Sequence, residues 1–142
     1  HWHLALNEDP KYSFLLKFDN VMIRLHTDYR ILDNVFINRL YDNSADKVIA
    51  YMRGELLFVF NFNPTRSFTE YGIPVKGKFS ILLDSDDPLF GGFDRINRKT
   101  IYTSQKKTVR PTLDQPFYLF LYLPARSALV LKSEPVRRAT EI

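Results

Sequence analysis

The sequence predicts a mainly β protein, an antiparallel β-sandwich preceded by one amphipathic helix. Three observations carry that prediction. Apolar residues recur at helical steps up to about His26 and at strand-like spacing from Lys47 onward. Twelve Phe and eight Tyr in 142 residues supply large rings that suit strands and their packing. Beyond Lys47, turn residues punctuate a series of short apolar stretches with no helical pattern between them, as a sandwich requires.

The helix comes first. Asp9 reads as an N-cap and Pro10 as the first helical position. Phe14, Phe18, Val21, Met22 and Leu25 follow at steps of three and four, with Tyr12 and Leu15 widening the stripe. Lys11, Lys17, Asp19, Asn20 and Arg24 fall largely on the other side. The predicted helix spans Pro10 to His26. It must bury its apolar face, either on the sandwich or within a neighbouring domain. Tyr29 to Leu40 has mixed patterning and reads as loop with a short helical turn.

Strands are predicted at Val48–Arg53 and Leu56–Phe62, joined by a Gly-containing hairpin at Arg53-Gly54-Glu55. Pro64 ends the second because it cannot donate to a ladder. Ser67–Tyr71, Lys78–Leu83, Thr100–Thr103, Phe117–Leu123 and Ala128–Lys132 complete the set. Asp84–Lys99 and Ser104–Gln115 are too long for hairpins and read as crossovers or functional loops. The tail from Ser133 is polar, contains Pro135 and is expected to fray.

Composition narrows the function. The absence of Cys excludes a disulfide framework and a thiolate metal site and suits a reducing cytosol. No apolar run approaches the length of a membrane span, about 20 residues. The start, His1-Trp2-His3-Leu4, has neither an initiator Met nor a signal-peptide pattern and reads as that of a processed chain or, in preference, of a piece cut from something longer. The net charge of +4 is modest, well short of a nucleic-acid module. Arg95, Arg98, Lys99, Lys106, Lys107 and Arg110 form a basic run with no acidic residue, read as a solvated loop.

The chemistry-bearing residues point to no self-contained active site. His1 and His3 have metal-ligand spacing, but only His26 remains as a further histidine. Asp84, Asp86 and Asp87 fail the calcium-loop pattern, since Pro88 and Leu89 interrupt it and Arg95 stands where a Glu is needed. Neighbouring carboxylates on one loop do not flank a sugar bond as a glycosidase pair must, so the cluster reads as turn-forming. Gly91-Gly92 matches no phosphate-binding loop and reads as a site of positive φ or close backbone approach. Trp2, Tyr51, Tyr71, Phe90 and Phe93 have the ring chemistry to stack on glucose, although core packing accounts for most aromatics in such a domain. Trp2 and Phe93, in irregular segments, are the carbohydrate-binding candidates. No catalytic residue, metal ligand or cofactor site is assigned.

A specific resemblance runs through Leu56–Arg95. Leu57-Phe58-Val59-Phe60-Asn61-Phe62-Asn63-Pro64 resembles the Phe-Asn-Phe-His-Pro strand of glycogen and starch branching enzymes. Ser67, Phe68 and Tyr71 match that family's Ser-Tyr-x-x-Tyr, Gly77-Lys78-Phe79 its Gly-Lys-Tyr, and Leu83-Asp84-Ser85-Asp86 its Leu-Asp-Ser-Asp. Phe90-Gly91-Gly92 completes the series, and Leu121 to Leu131 is similar to the domain's closing strands. At the front, Trp2-His3-Leu4, Tyr12, Phe14-Leu15, Phe18-Asp19 and Met22 resemble the end of the family's catalytic barrel. The likeness is greatest to the eukaryotic-type enzymes. Asn63, where His is usual, and Ile96–Pro116 depart from the pattern.

The resemblance implies the Greek-key, all-β C-terminal domain of the α-amylase superfamily. It implies residues 1–40 as the last helical segment of a (β/α)8 barrel, 41–133 as the sandwich and 134–142 as a polar tail. The implied whole enzyme cuts an α-1,4-glucan through a covalent glycosyl intermediate and transfers it to a 6-hydroxyl. Its Asp, Glu and Asp catalytic groups lie on barrel loops upstream, so none carries over. The implied partners are α-glucan, through the full-length enzyme, and the chain's own catalytic barrel, in the cytoplasm; no nucleic acid, membrane or cofactor is implied. Two other readings stay open: the equivalent module of a debranching or hydrolytic amylase-family enzyme, and a free-standing carbohydrate-binding sandwich.

Overall fold

The computed structural model describes residues 10–33, 36–107 and 116–135. Helix α1 spans Pro10–Tyr29, one turn beyond the predicted end. The extension follows from Tyr29, four residues after Leu25, which adds one more apolar side chain to the same buried cluster. Arg30, in the left-handed region at φ 49°, ends the helix, and a 3-10 turn follows at Ile31–Asp33. Asp9 lies outside the described residues.

Among the described residues nine strands follow: β1 Asn38–Asn43, β2 Val48–Arg53, β3 Leu56–Asn61, β4 Phe68–Ile73, β5 Lys78–Asp84, β6 Tyr102–Thr103, β7 Gln105–Lys106, β8 Phe117–Leu123 and β9 Ser127–Glu134. The seven predicted strands are present, β2 and β8 with unchanged bounds. Two were not foreseen. Strand β1 lies where loop was expected, and its polar sequence buries only Tyr41. Antiparallel pairing with β2 makes it a strand. Strand β7 contributes two residues paired to β8. Ser133 and Glu134, expected to fray, are held in β9 by pairing with Phe79 and Lys78.

The strands form a six-stranded sheet, in the order β1-β2-β3-β9-β5-β6, and a three-stranded sheet, β4-β8-β7. Every pairing is antiparallel. The chain leaves the large sheet after β3 and β6 and returns to it at β5 and β9, the crossover connectivity of a Greek-key sandwich. The β2–β3 hairpin closes through Gly54-Glu55, with Gly54 at φ 61° as a tight two-residue turn demands.

Two apolar clusters hold the layers. Leu57, Val59, Leu129 and Leu131 point from β3 and β9 between the sheets, where they meet Ile73, Leu119 and Leu121. The opposite face of the same strands carries Leu56, Phe58 and Val130, and α1 covers it with Phe18, Val21, Met22 and Leu25. This double coverage explains why Leu56–Phe60 reads as an unbroken apolar run rather than an alternating one. The helix therefore packs on the sandwich, in agreement with the first of the two placements its amphipathicity allowed.

Two polar networks pin the sheets together. Asn61, 1% exposed, donates through Nδ2 to the carbonyls of Arg66, Leu123 and Pro124 at 3.0, 3.1 and 3.1 Å and accepts from Asn63 N–H at 2.9 Å. Asn63 Oδ1 in turn accepts from the N–H groups of Thr65 and Arg66. Tyr41 on the large sheet and Tyr71 on the small one share a hydroxyl hydrogen bond of 2.9 Å, and Tyr71 donates to Asp46 at 2.7 Å. Burial, with those hydrogen bonds, pushes the Tyr71 phenol far above its ordinary range.

Asn61→Ala leaves those buried carbonyls without their donor, at an expected cost of about 2–4 kcal/mol. Urea unfolding of the variant checks this; a loss under about 0.5 kcal/mol would mean that water replaces the amide.

Candidate functional site

The segment between β5 and β6 concentrates the charged side chains singled out in the sequence. It opens with Asp84 and Asp86, both buried. Asp84 Oδ1 accepts from Asp86 N–H at 2.8 Å, and Asp87 caps the short 3-10 turn Pro88–Phe90 by accepting from Leu89 N–H at 2.9 Å. The chain then reverses through Gly91, at φ 80°, and Gly92. A Cβ on Gly91 would meet the Phe14 ring of α1 at 2.6 Å, and one on Gly92 would overlap the backbone of Asp86 at 2.0 Å. The glycines thus serve close approach, as the sequence suggested. Phe18 of α1 packs edge-on against Phe90 with ring centroids 5.1 Å apart, so the helix also braces this turn.

After the reversal the chain is clamped onto Asp86. Its carboxylate accepts from Phe93 N–H at 3.2 Å, Arg95 N–H at 2.8 Å and Arg95 Nη2 at 2.8 Å. Arg98 reaches three acids: Asp84 at 3.3 Å, Asp87 at 3.4 Å and Asp94 at 2.6 Å. The leading part of the basic run is therefore spent on internal ion pairs, which corrects its reading as a solvated loop. The signal was present: acids at 84–87 and guanidines at 95 and 98 on either side of a Gly-Gly reversal.

Electrostatics separate the two acids. Burial would raise the Asp86 carboxyl, but hydrogen bonds from Arg95 and from the N–H groups of Arg95 and Phe93 outweigh it and hold the group below the usual range. For Asp84, burial wins over the bonds from Asp86 N–H and Arg98, and its carboxyl is pushed up. Both side chains are closed to solvent, at 0% and 4% exposure for Asp84 and Asp86. They face arginines rather than a shared gap. Their chemistry is that of a structural latch, not of a sugar-cleaving pair.

The aromatic candidates divide sharply. Tyr51 stacks on Phe58 at 5.0 Å; Tyr71 is buried and Phe90 is packed under α1. Phe93 is 78% exposed, with the Arg95 guanidinium over its ring at 5.1 Å. Trp2, His1, His3 and Arg110 lie outside the described residues. Among the described residues no three His, Cys, Asp or Glu side chains are grouped to hold a metal, and no helix is long and apolar enough to cross a membrane. Sequence reasoning missed Phe62, 64% exposed and stacked on Phe60 at 5.5 Å. A groove of about 400 Å³ runs beside it, bordered by Arg126 and Ala128.

Asp86→Ala strands the Arg95 guanidinium and two N–H groups, and stability is expected to fall by about 3–5 kcal/mol. The pH dependence has a sign. Because the folded-state pKa of Asp86 is depressed, its contribution is full above the unfolded value of about 3.9 and is lost as pH falls through the folded one. Asp84, with a raised pKa, works in the opposite sense and offsets part of that loss. Denaturant titrations between neutral pH and pH 3 should show a shallower acid loss in the variant than in the wild type; parallel curves would contradict the latch.

Comparison with known proteins places this geometry. Residues 40–134 match the model of the alpha amylase C-terminal all-beta domain. The 1,4-alpha-glucan-branching enzyme of Dictyostelium discoideum is 37% identical over 133 residues, covering 92% of this chain and 19% of that protein. The 1,4-alpha-glucan-branching enzyme 2-2, chloroplastic/amyloplastic, of Arabidopsis thaliana is 40% identical over 124 residues, covering 84% of this chain and 15% of that protein. The 1,4-alpha-glucan-branching enzyme of Aspergillus oryzae is 37% identical over 135 residues, again covering 92% of the chain and 19% of the relative. The chain thus spans less than a fifth of the length of these relatives. The resemblance drawn from the motifs of β3 to the Gly-Gly turn holds: this chain belongs to the alpha-amylase C-terminal all-beta domain family.

Proposed function

We propose that the chain is the non-catalytic C-terminal portion of a 1,4-α-glucan branching enzyme, a buttress for a catalytic barrel encoded upstream. The observation that carries this reading is the exposed apolar surface on α1 and the segment that follows it. One face, with Phe18, Met22 and Leu25, is seated on the sandwich. Beside it stand Tyr12, Leu15 and Ile23, at 43, 58 and 63% exposure. Leu32, Phe36 and Ile37 extend the exposed apolar surface beyond the helix. Apolar side chains left in water around Asp19, beside a face already seated on the sandwich, suit contact with a further body. The relatives extend well beyond the region matched here, which supplies the second body.

In this reading the helical segment ahead of β1 completes the barrel, and the strands β1 to β9 form the sandwich. Residues 38–40, which the resemblance gave to the barrel, and Glu134, which it gave to the tail, lie in the sandwich's large sheet. The full-length protein, of glycoside hydrolase family 13, transfers α-1,4-glucan segments to 6-hydroxyls in cytoplasmic glycogen biosynthesis. The enclosed carboxylates of the β5–β6 segment support a supporting rather than a chemical role for this portion.

Expression of the full-length coding sequence should yield a protein that introduces α-1,6 linkages into amylose, while residues 1–142 alone show no transfer. Release of short linear products without new branch points would place the parent among hydrolytic amylase relatives instead, and turnover by the fragment would overturn the reading. The interface has its own test. Ile23→Lys in the full-length protein buries a charge and is expected to cost about 2–4 kcal/mol. Arg24→Gln, on a solvated side of the same helix, should cost less than about 0.5 kcal/mol. Equal effects in thermal unfolding would mean that the face around Ile23 stays in water.

A further inference from the structure

Phe93 is the most exposed apolar residue between β5 and β6, and its backbone is locked. The N–H groups of Phe93 and Arg95 are held by the buried Asp86 carboxylate at 3.2 and 2.8 Å, and that of Asp94 by the Asp86 carbonyl at 2.9 Å. Asp94 sits at φ 57°, a left-handed conformation that Asp adopts more readily than most residues. A clamped segment that holds a phenyl ring 78% in water gains nothing from burial of that ring. Immediately beyond it, residues 94–99 line an open groove of about 510 Å³. Arg95 joins the two features, lying over the Phe93 ring at 5.1 Å while lining the groove.

The groove sets the ligand class. Its lining includes Asn97 and Lys99, which offer amide and ammonium groups to a polyhydroxylated ligand, while the Asp94 carboxylate is held by Arg98 at 2.6 Å. An exposed ring beside planar polar side chains matches a pyranose, whose C–H face packs on a π-surface while its edge hydroxyls hydrogen-bond. A protein-docking surface would continue the apolar patch outward from the ring. Here the residues that follow Phe93 are the charged Asp94 and Arg95.

We propose that Phe93 and the groove of residues 94–99 form a contact site for α-glucan chains, with the ring as stacking platform and Asn97 and Lys99 as hydroxyl partners. The ligand class rests on the branching-enzyme reading; the existence of a stacking site rests on the geometry above. Such a site holds a polymer on the surface by one stacked residue, so its affinity is weak and it acts by raising the local concentration of chain ends.

The test uses the full-length protein and its mobility in native gels containing soluble glycogen, with maltoheptaose as competitor. Phe93→Ala is expected to weaken retention about fivefold to tenfold, the scale of one lost stacking contact, with the melting midpoint within about 2 °C of wild type. Phe93→Tyr, which keeps the ring, should retain glycogen within about twofold of wild type. Unchanged retention by Phe93→Ala overturns the site. Lost retention with a large drop in the melting midpoint also overturns it, since the ring would then be docked against the rest of the parent. A parent that forms no α-1,6 linkages but shows the expected retention pattern leaves the site standing and removes the branching reading alone.

Discussion

Strands β3 and β9 carry apolar side chains on both faces, and that constraint organises the molecule. A strand buried on one face needs one covering layer; these two need a sheet on one side and a helix on the other. Leu57, Val59, Leu129 and Leu131 take the inner cover from β4 and β8. Leu56, Phe58 and Val130 take the outer cover from α1. Burying one such side chain contributes on the order of 1.5–3 kcal/mol, so leaving the outer set in water would forfeit a sum comparable to the stability of a typical domain. Helix and sandwich are for that reason one folding unit, even where the helix belongs by descent to a neighbouring domain.

The polar networks follow from the same constraint. Once two sheets are pressed together at β3 and β8, the carbonyls at their ends are shut off from water and need donors. Asn61 supplies them, which is why an amide sits at the end of an apolar strand. Asn63, where the resembling family has His, occupies the next position of this turn and bonds its backbone. Its substitution for His concerns the ordering of a loop. At the other end, the β5–β6 segment has no sheet partner over most of its length. It is ordered instead by charge, through Asp86 with Arg95 and Arg98 with Asp84, Asp87 and Asp94.

Legibility in the sequence tracks the range of the determining forces. Strands β2, β3, β5, β8 and β9 were readable because β-branched and aromatic runs bounded by Gly and Pro report burial directly. Strand β1 was not, because Asn38–Asn43 owes its conformation to the exposed hydrogen-bonding edge of β2, a partner that periodicity does not register. The end of α1 was misplaced by one turn because Tyr29 is separated from Leu25 by three polar residues, and only the cluster beneath shows that it belongs inside. At the candidate site, the structural nature of the Asp84–Asp87 cluster and the steric role of Gly91-Gly92 followed from residue type and spacing. The pairing of those acids with arginines some ten residues on did not, since opposite charges attract across any reversal and the sequence alone does not place the reversal's two arms in register.

In the proposed reading, the arrangement also gives a physical reason for this domain to travel with a catalytic barrel. Helix α1 seats Phe18, Met22 and Leu25 on the sandwich and leaves Tyr12, Leu15 and Ile23 exposed. Under that reading those exposed residues meet a further body, and an element shared in this way couples the stabilities of the bodies it touches. The turn at Pro88–Phe90 adds a second contact to the same helix through Phe18 and Phe90. The segment that orients Phe93 is thereby tied, through Gly91 on Phe14 and Asp86 on Arg95, to the helix that would bear on the barrel. Position of the exposed ring relative to α1 is then set by packing rather than by a flexible tether.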